Sequence, residues 1–329
     1  MELKTRDEIT YNETIESTII NTEPIITYNE NINSTILIDT SKEILEKKTN
    51  GNYDTLVLSG GGCKGISILG SIQYMKDNEY LNNINIYIGT SVGSIICYLL
   101  SIGYNPTEII SYICTNQILE KIQFLDIVSM INGGGASSFS FIQEHLERMT
   151  VDKIGRYITM KDLYTQFNKK LICCTYNLTT ESTEYICYEN HPDMPCLVAL
   201  RLSSNLPFIF DKYKYQNNFY IDGGVSNNFP IDIGDKLGNK VIGIYINEHN
   251  ENNEDKNLNI LEYFYKLILI PVIKNIKSKI KSLSSKCTIL SINTENIGMF
   301  QFDISTTTKL NMFSNGYTQT SIIFDKLNI

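Results

Sequence analysis

Histidine is scarce in this sequence, with three residues in 329, and basic residues are outnumbered, 28 Lys and Arg against 36 Asp and Glu. The net charge of −8 excludes a general nucleic-acid binder, which needs a basic stripe to displace the counterions of a phosphate backbone. The eight cysteines, at 63, 97, 114, 173, 174, 187, 196 and 287, include no CxxC pair and no zinc-finger spacing. They read as buried reduced thiols, and no metal or other cofactor is expected. No secretory signal is legible at the N-terminus and no internal repeat is present, so the expected location is intracellular.

Uninterrupted hydrophobic length is missing too. Ile86 to Tyr104 carries no charged side chain and approaches the roughly 20 residues of a membrane-spanning helix. Its middle, however, holds Gly89, Thr90, Ser91, Gly93 and Ser94, so neither half offers a continuous apolar helix. A buried strand, a tight turn and a buried helix fit the pattern better, and no transmembrane segment is expected. With 42% hydrophobic residues the chain can bury a full core as one large α/β domain.

Residues 1–50 are rich in Thr, Asn, Ile and Glu without a steady period, which predicts a polar N-terminal extension, partly disordered. From Tyr53 the pattern turns to parallel α/β wiring: strand 55–59, a glycine turn, helix 64–77, strand 84–88, a turn and helix 92–101. Residues 107–131 read as helical, Gly133–Gly135 as a loop, and 140–148 as a further helix. Two adjoining strands follow within 169–180 and 182–190. Pro195 starts a helix ending near Ser204, "FYIDGG" and "KVIGIYI" are short strands, and 258–283 is helical around a break at Pro271.

Three stretches carry candidate chemistry. Gly60-Gly61-Gly62-Cys63-Lys64-Gly65 matches G-x-G-x-x-G between a strand and a helix. A dinucleotide site needs an acidic residue at the end of the next strand, where this chain has Gly89-Thr90-Ser91, and an ATP-type loop needs Lys followed by Ser or Thr. What remains is a set of backbone N–H groups at a helix start, suited to negative charge, including a tetrahedral oxyanion. Gly89-Thr90-Ser91-Val92-Gly93 is a G-x-S-x-G between strand and helix, which forces a serine into exposure at a sharp turn; a serine that merely caps a helix is the competing reading. None of the histidines suits a catalytic base. His145 lies between Glu144 and Glu147 on a helix and reads as a surface residue, His191 sits in a turn-rich loop, and His249 lies in a polar run. Asp222, at the end of "FYID" and before Gly223-Gly224, is the alternative partner for the serine, unless it only shapes an Asx turn.

The order G-G-G-x-K-G, G-T-S-V-G, D-G-G resembles the patatin-like phospholipase family and its serine–aspartate dyad. Further likeness lies in "VALRLSSNLPFIF", "DGGVSNNFP", "IGMFQFDIS" and "NGYTQT", so that the resemblance spans roughly Tyr53 to Phe324. It implies an α/β fold of three layers, with a mostly parallel central sheet flanked by helices, over an acyl hydrolase domain of residues 51–329. It implies Ser91 as nucleophile, Asp222 as base, the amides of Gly61, Gly62 and Cys63 as oxyanion hole, and Gly60, Lys64, Gly65, Gly89, Gly93, Gly223 and Gly224 as supporting motif residues. Lys64 stands where the family often has arginine, which would lose any bidentate hold on a phosphate. The implied substrate is a phospholipid or other acyl lipid. Candidate walls for its pocket are the apolar residues of 107–131 and the Gly133–Gly135 loop, a candidate lid, with core packing as the competing role for most of them. A catalytically silent interaction protein of the same fold is the alternative. Lys274, Lys277, Lys279 and Lys281, following the apolar run "LILIPVI", also suggest peripheral contact with an anionic membrane surface.

Overall fold

Strand β1 (Thr55–Leu58) is buried at every position, and its side chains divide between two cores. Leu56 and Leu58 join one hydrophobic cluster while Val57 joins another, as expected of a parallel strand covered on both faces. In the computed structural model, residues 53–120, 137–247, 260–294, 297 and 301–327 are described. The extension 1–50, His249 and the Gly133–Gly135 loop lie outside them.

One eight-stranded sheet runs in the order β5-β6-β3-β2-β1-β7-β8, with β4 also paired to β3. The strands are β2 (Ile86–Thr90), β3 (Lys170–Asn177), β4 (Ser182–Ile186), β5 (Tyr213–Tyr215), β6 (Asn218–Asp222), β7 (Val241–Asn247) and β8 (Cys287–Asn293). The block β3-β2-β1-β7-β8 is parallel, and β4, β5 and β6 join antiparallel. The charge-free run resolves into β2, a turn at Ser91 and helix α2 (Val92–Ser101). No helix among the described residues is long and apolar enough to cross a membrane.

Helices cover both faces, giving three layers. One face carries α1 (Gly65–Asp77), α2, α3 (Pro106–Asn116), α4 (Ser140–Ile154), α5 (Met160–Phe167), α6 (Cys196–Ser203) and α10 (Thr306–Lys326). The other carries α8 (Ile231–Leu237) and α9 (Ile260–Ser282), whose Ile231, Val272 and Ile276 pack on Val57, Ile88 and Ile172. A four-residue helix, α7 (Gly224–Asn227), follows β6 directly.

Three expectations change. The helix expected over 107–131 ends at Asn116, where Gln117 takes a left-handed conformation and turns follow to residue 120. Helix α9 continues through Pro271 without a break. Pro271 is exposed, as is Leu267 one turn earlier, whose carbonyl loses its helical partner; on the solvent side water can take that bond, so the helix survives the proline. His145 is a buried residue, on the same face of α4 as Leu146, Met149 and Thr150. Of its glutamate neighbours in sequence, Glu144 is exposed and Glu147 half-buried, so both lie off the buried stripe that holds His145.

Candidate active site

The parallel sheet ends at a junction on β3. Strand β2 runs beside β3 as far as Thr90↔Cys174. Antiparallel β6 meets the next position of β3, Thr175↔Asp222. Two strands arriving from opposite directions therefore stop one residue apart along the same neighbour, and the residues at their ends, Ser91 and Asp222, are brought together across 131 positions of sequence.

Local sequence makes the Ser91 turn. Its φ is 55°, a left-handed conformation that a non-glycine residue adopts at a cost of about 1–3 kcal/mol and that is found at sites over-determined by their surroundings. The flanking glycines allow strand and helix to pass: a methyl group at Gly93 would lie 2.6 Å from the carbonyl oxygens of Leu58 and Ser59, and one at Gly89 would overlap the Ser94 amide. Ser91 N–H donates to Ser203 Oγ at 3.0 Å, and the Ser203 hydroxyl donates to the Cys174 carbonyl at 2.6 Å. Because the single Ser203 proton is committed there, Ser94 Oγ, 2.8 Å away, is the donor of the third bond. Ser203 thus locks the turn to β3.

Ser91 Oγ donates to Asp222 Oδ2 at 2.5 Å. The other carboxylate oxygen, Oδ1, accepts from Gly224 N–H at 2.7 Å, and Asp222 N–H donates to the Asn205 carbonyl at 2.9 Å. Asp222 is 2% exposed. Burial pushes its carboxyl up to about 6, and the hydrogen bonds from Ser91 and Gly224 pull in the opposite direction without cancelling it.

The glycine-rich stretch passes above the same edge. Gly60 N–H donates to the Asn228 carbonyl, Gly61 carbonyl accepts from Lys64 N–H, and a 3-10 turn over Gly62–Lys64 leads into α1 at Gly65. Among the described residues, no hydrogen bond takes up the amides of Gly61 or Gly62. Gly65 packs against Val92, the first residue of α2, where a methyl group would fall 2.7 Å from its side chain. The glycine turn and the Ser91 turn are therefore neighbours. Cys63 is not a reactive thiolate, since burial lifts its thiol to about 11. Lys64 is buried at the start of α1, and Gly223 links β6 to α7.

A deep apolar cavity opens beside Ser91, enclosing about 950 Å³ of unfilled space with the open solvent at its mouth included. Its walls come from α1 to α4 and from Leu206, Phe210 and Phe302. Of the expected wall, Ile109, Ile113, Ile118 and Leu119 line it, while 121–131 lie outside the described residues. The sequence reading missed His145, which lines the cavity with Nδ1 3.0 Å from Tyr112 Oη; the spacing Ile142, His145, Leu146, Met149 carried that signal. It also missed Arg201. This buried guanidinium donates to Asn205 Oδ1 and to the Asp211 carbonyl, and lies 4.3 Å over Phe139, a cavity wall. Asn205 in turn binds Tyr220 and Asp222, so Arg201 ties the wall to the strand that presents the carboxylate. His191 stands on a loop whose amide bonds Cys187 and is absent from the cavity lining. Among the described residues no cluster of His, Cys, Asp and Glu could hold a metal ion.

The family model described as patatin-like phospholipase matches residues 56–235, a span containing the glycine turn, Ser91 and Asp222. The chain is 45% identical over 191 residues to a probable lipid hydrolase of Invertebrate iridescent virus 6, covering 57% of this chain and 65% of that protein, just under two thirds. It is 31% identical over 288 residues to an uncharacterized protein of Acanthamoeba polyphaga mimivirus, covering 84% of this chain and 94% of that one. Two solved structures share the fold at low identity. VipD from Legionella pneumophila aligns with a TM-score of 0.51 and 16% identity over 84% of this chain and 67% of its own. The type III effector ExoU aligns with a TM-score of 0.51 and 14% identity over 85% and 56%.

Proposed function

The chain belongs to the patatin-like phospholipase family, and from that premise we propose that it hydrolyses acyl ester bonds of phospholipids or related lipids, as a phospholipase A or lysophospholipase, through a Ser91–Asp222 dyad. The observation that carries this reading is the direct hydrogen bond from Ser91 Oγ to a buried carboxylate beside a cavity with apolar walls.

Asp222 takes the Ser91 proton as Oγ attacks the ester carbonyl, and the oxyanion so formed is held by the amides of Gly61 and Gly62, with Cys63 closing the turn. Collapse expels the alkoxide, which takes the proton back from Asp222 and leaves an acyl-Ser91 ester. Asp222 then draws a proton from water, water attacks the acyl carbon, and Ser91 is restored as the fatty acid departs. Burial supports the base role by lifting the carboxyl to about 6, since a base works best when its pKa approaches the operating pH. A fluorophosphonate probe is expected to label the wild type and to leave Ser91→Ala unlabelled. Equal labelling of both would overturn the assignment of the nucleophile, and a wild type that resists labelling would favour the silent, interaction-only alternative.

Helix α9 supports peripheral attachment to an anionic lipid surface. Tyr263, Leu267, Ile270 and Ile273 are exposed along its first half, and Lys274, Lys277 and Lys281 continue the same solvent face in its second half. Apolar side chains followed by cations on one face suit the boundary between acyl chains and anionic headgroups. Lys279 is excluded from this set, because it pairs with Asp232 at 2.8 Å. The helix packs against α7, the segment directly after Asp222, so attachment would hold the carboxylate's end of the domain near lipid. Reversing Lys274, Lys277 and Lys281 to Glu is expected to abolish sedimentation with phosphatidylserine vesicles at low salt. Unchanged sedimentation would sink the surface role.

A further inference from the structure

Two consecutive serines end the α6 region, and their side chains have opposite circumstances. Ser203 Oγ makes three hydrogen bonds, to Ser91 N–H, Ser94 Oγ and the Cys174 carbonyl. Ser204 is 5% exposed and both its backbone groups are paired, its N–H with the Leu200 carbonyl and its carbonyl with Leu206 N–H. Its Oγ nevertheless has no hydrogen-bond partner. A buried hydroxyl left unsatisfied is a standing cost to the fold, and Ser204 is one of the residues lining the cavity that Ser91 lines. The other polar side chains of that wall are engaged: Ser91 with Asp222, and His145 with Tyr112.

The position of Ser204 is fixed relative to the carboxylate. Gly223 N–H donates to the Ser203 carbonyl and Asp222 N–H to the Asn205 carbonyl, so Ser204 is bracketed by two backbone bonds to the end of β6. In the dyad reading the proton for the departing alkoxide comes from Asp222, the residue these two bonds tie to the Ser203–Asn205 segment. The amides of Gly61 and Gly62 belong to a different segment, the loop after β1, and serve the carbonyl oxygen.

We infer that Ser204 is a substrate-binding residue whose hydroxyl donates a hydrogen bond to the alkoxy oxygen of the scissile ester. The inference rests on the Ser91–Asp222 reading. In it, the proton that completes the leaving alcohol comes from Asp222. Ser204 keeps its own proton and stabilises the charge that gathers on the alkoxy oxygen as the carbon–oxygen bond breaks.

The test compares a short-chain phosphatidylcholine with its thioester analogue, in which sulfur replaces the alkoxy oxygen at the scissile bond. Sulfur is a weak hydrogen-bond acceptor and a thiolate needs little help to leave. Ser204→Ala is expected to lower kcat/KM on the oxyester by about ten- to a hundredfold, the range for a bond to a group bearing charge. On the thioester it should change kcat/KM by less than about threefold, and Ser204→Thr should restore most of the oxyester activity. Thermal unfolding of Ser204→Ala should occur at or above the wild-type temperature, because the substitution removes an unsatisfied group. Equal losses on both substrates, or no loss on the oxyester, overturn the inference; either result with Ser91→Ala still inactive leaves the dyad standing. Retained activity in Ser91→Ala, or a wild type inactive on both substrates, overturns the dyad reading itself and the role of Ser204 with it.

Discussion

Asp222→Asn is expected to cut ester hydrolysis by at least about a hundredfold, the lower end of what general-base catalysis supplies, while leaving the protein as stable at pH 8 as the wild type or more so. The amide keeps the shape of the carboxylate and can still accept the Gly224 N–H. It cannot take the Ser91 proton. The stability half follows from linkage. Burial raises the Asp222 carboxyl to about 6 in the folded protein, against an unfolded value near 3.9. A group whose folded value is raised favours the fold most below its unfolded value, and that advantage is lost as pH rises through the folded value. Above about pH 6 the charged side chain is therefore a burden on the fold, on the order of 3 kcal/mol, which the neutral amide does not carry. In the wild type the same titration switches activity in the opposite direction. Only the ionised form is a base, so kcat/KM should climb as pH rises from 5 to 7 and then level. Turnover and thermal unfolding, each followed from pH 5 to 8, check both halves. A mild loss of turnover, or a pH 5–7 rise that persists in Asp222→Asn, would shift the base to another residue. His191→Ala should be indifferent to all of this, because His191 takes no part in the cavity wall.

The parts of this site that are legible in the sequence are those whose geometry is made locally. A glycine pair about a serine, between strand-like and helix-like runs, describes a turn that five residues determine by themselves. An aspartate after a short apolar strand and before two glycines is similarly self-contained. The parallel wiring from Tyr53 to Ser101 was readable for the same reason, since each strand and helix there announces its period. What could not be read is the register on β3 that makes Thr90 and Asp222 abut, because β6 is antiparallel and arrives after a long excursion. The serine and asparagine that hold Ser91 and Asp222 in place, Ser203 and Asn205, share that obscurity: their partners lie across the fold, and in sequence they are ordinary polar residues at a helix end. His145 is obscured in a different way: the apolar residues three and four positions away carry the spacing of a buried face, but Glu144 and Glu147 give its immediate surroundings a surface character.

The packing of α1 was equally hidden, and it leads to the second large expected effect, in Gly316→Ala. Helices α1 and α10 cross closely enough for backbones to touch. A methyl group at Gly316 would overlap the Ser67 carbonyl oxygen and lie 2.8 Å from its carbon, and one at Gly70 would overlap the Phe313 carbonyl oxygen and lie 2.9 Å from Tyr317 N. Ser71 Oγ, 3.2 Å from the Gly316 carbonyl, completes the contact. Side chains can usually yield to an added methyl, which limits overpacking to about 1–3 kcal/mol. Here the obstacle is helical backbone on both sides, so the helices themselves must part. Gly316→Ala should therefore cost at least about 3 kcal/mol, at the upper end of that range, with Gly70→Ala similar. The two should be less than additive when combined, because either one alone already forces the separation. The consequence reaches the chemistry: the first residue of α1 is Gly65, immediately after the Gly61–Lys64 turn, and it packs on Val92 beside Ser91. A folded remnant of either variant is expected to lose kcat, with little change in KM, through displacement of the Gly61 and Gly62 amides, the proposed oxyanion donors. Urea unfolding of the single and double variants, with kcat measured below the transition, checks both statements. Wild-type stability in Gly316→Ala would mean that the two helices are not in backbone contact.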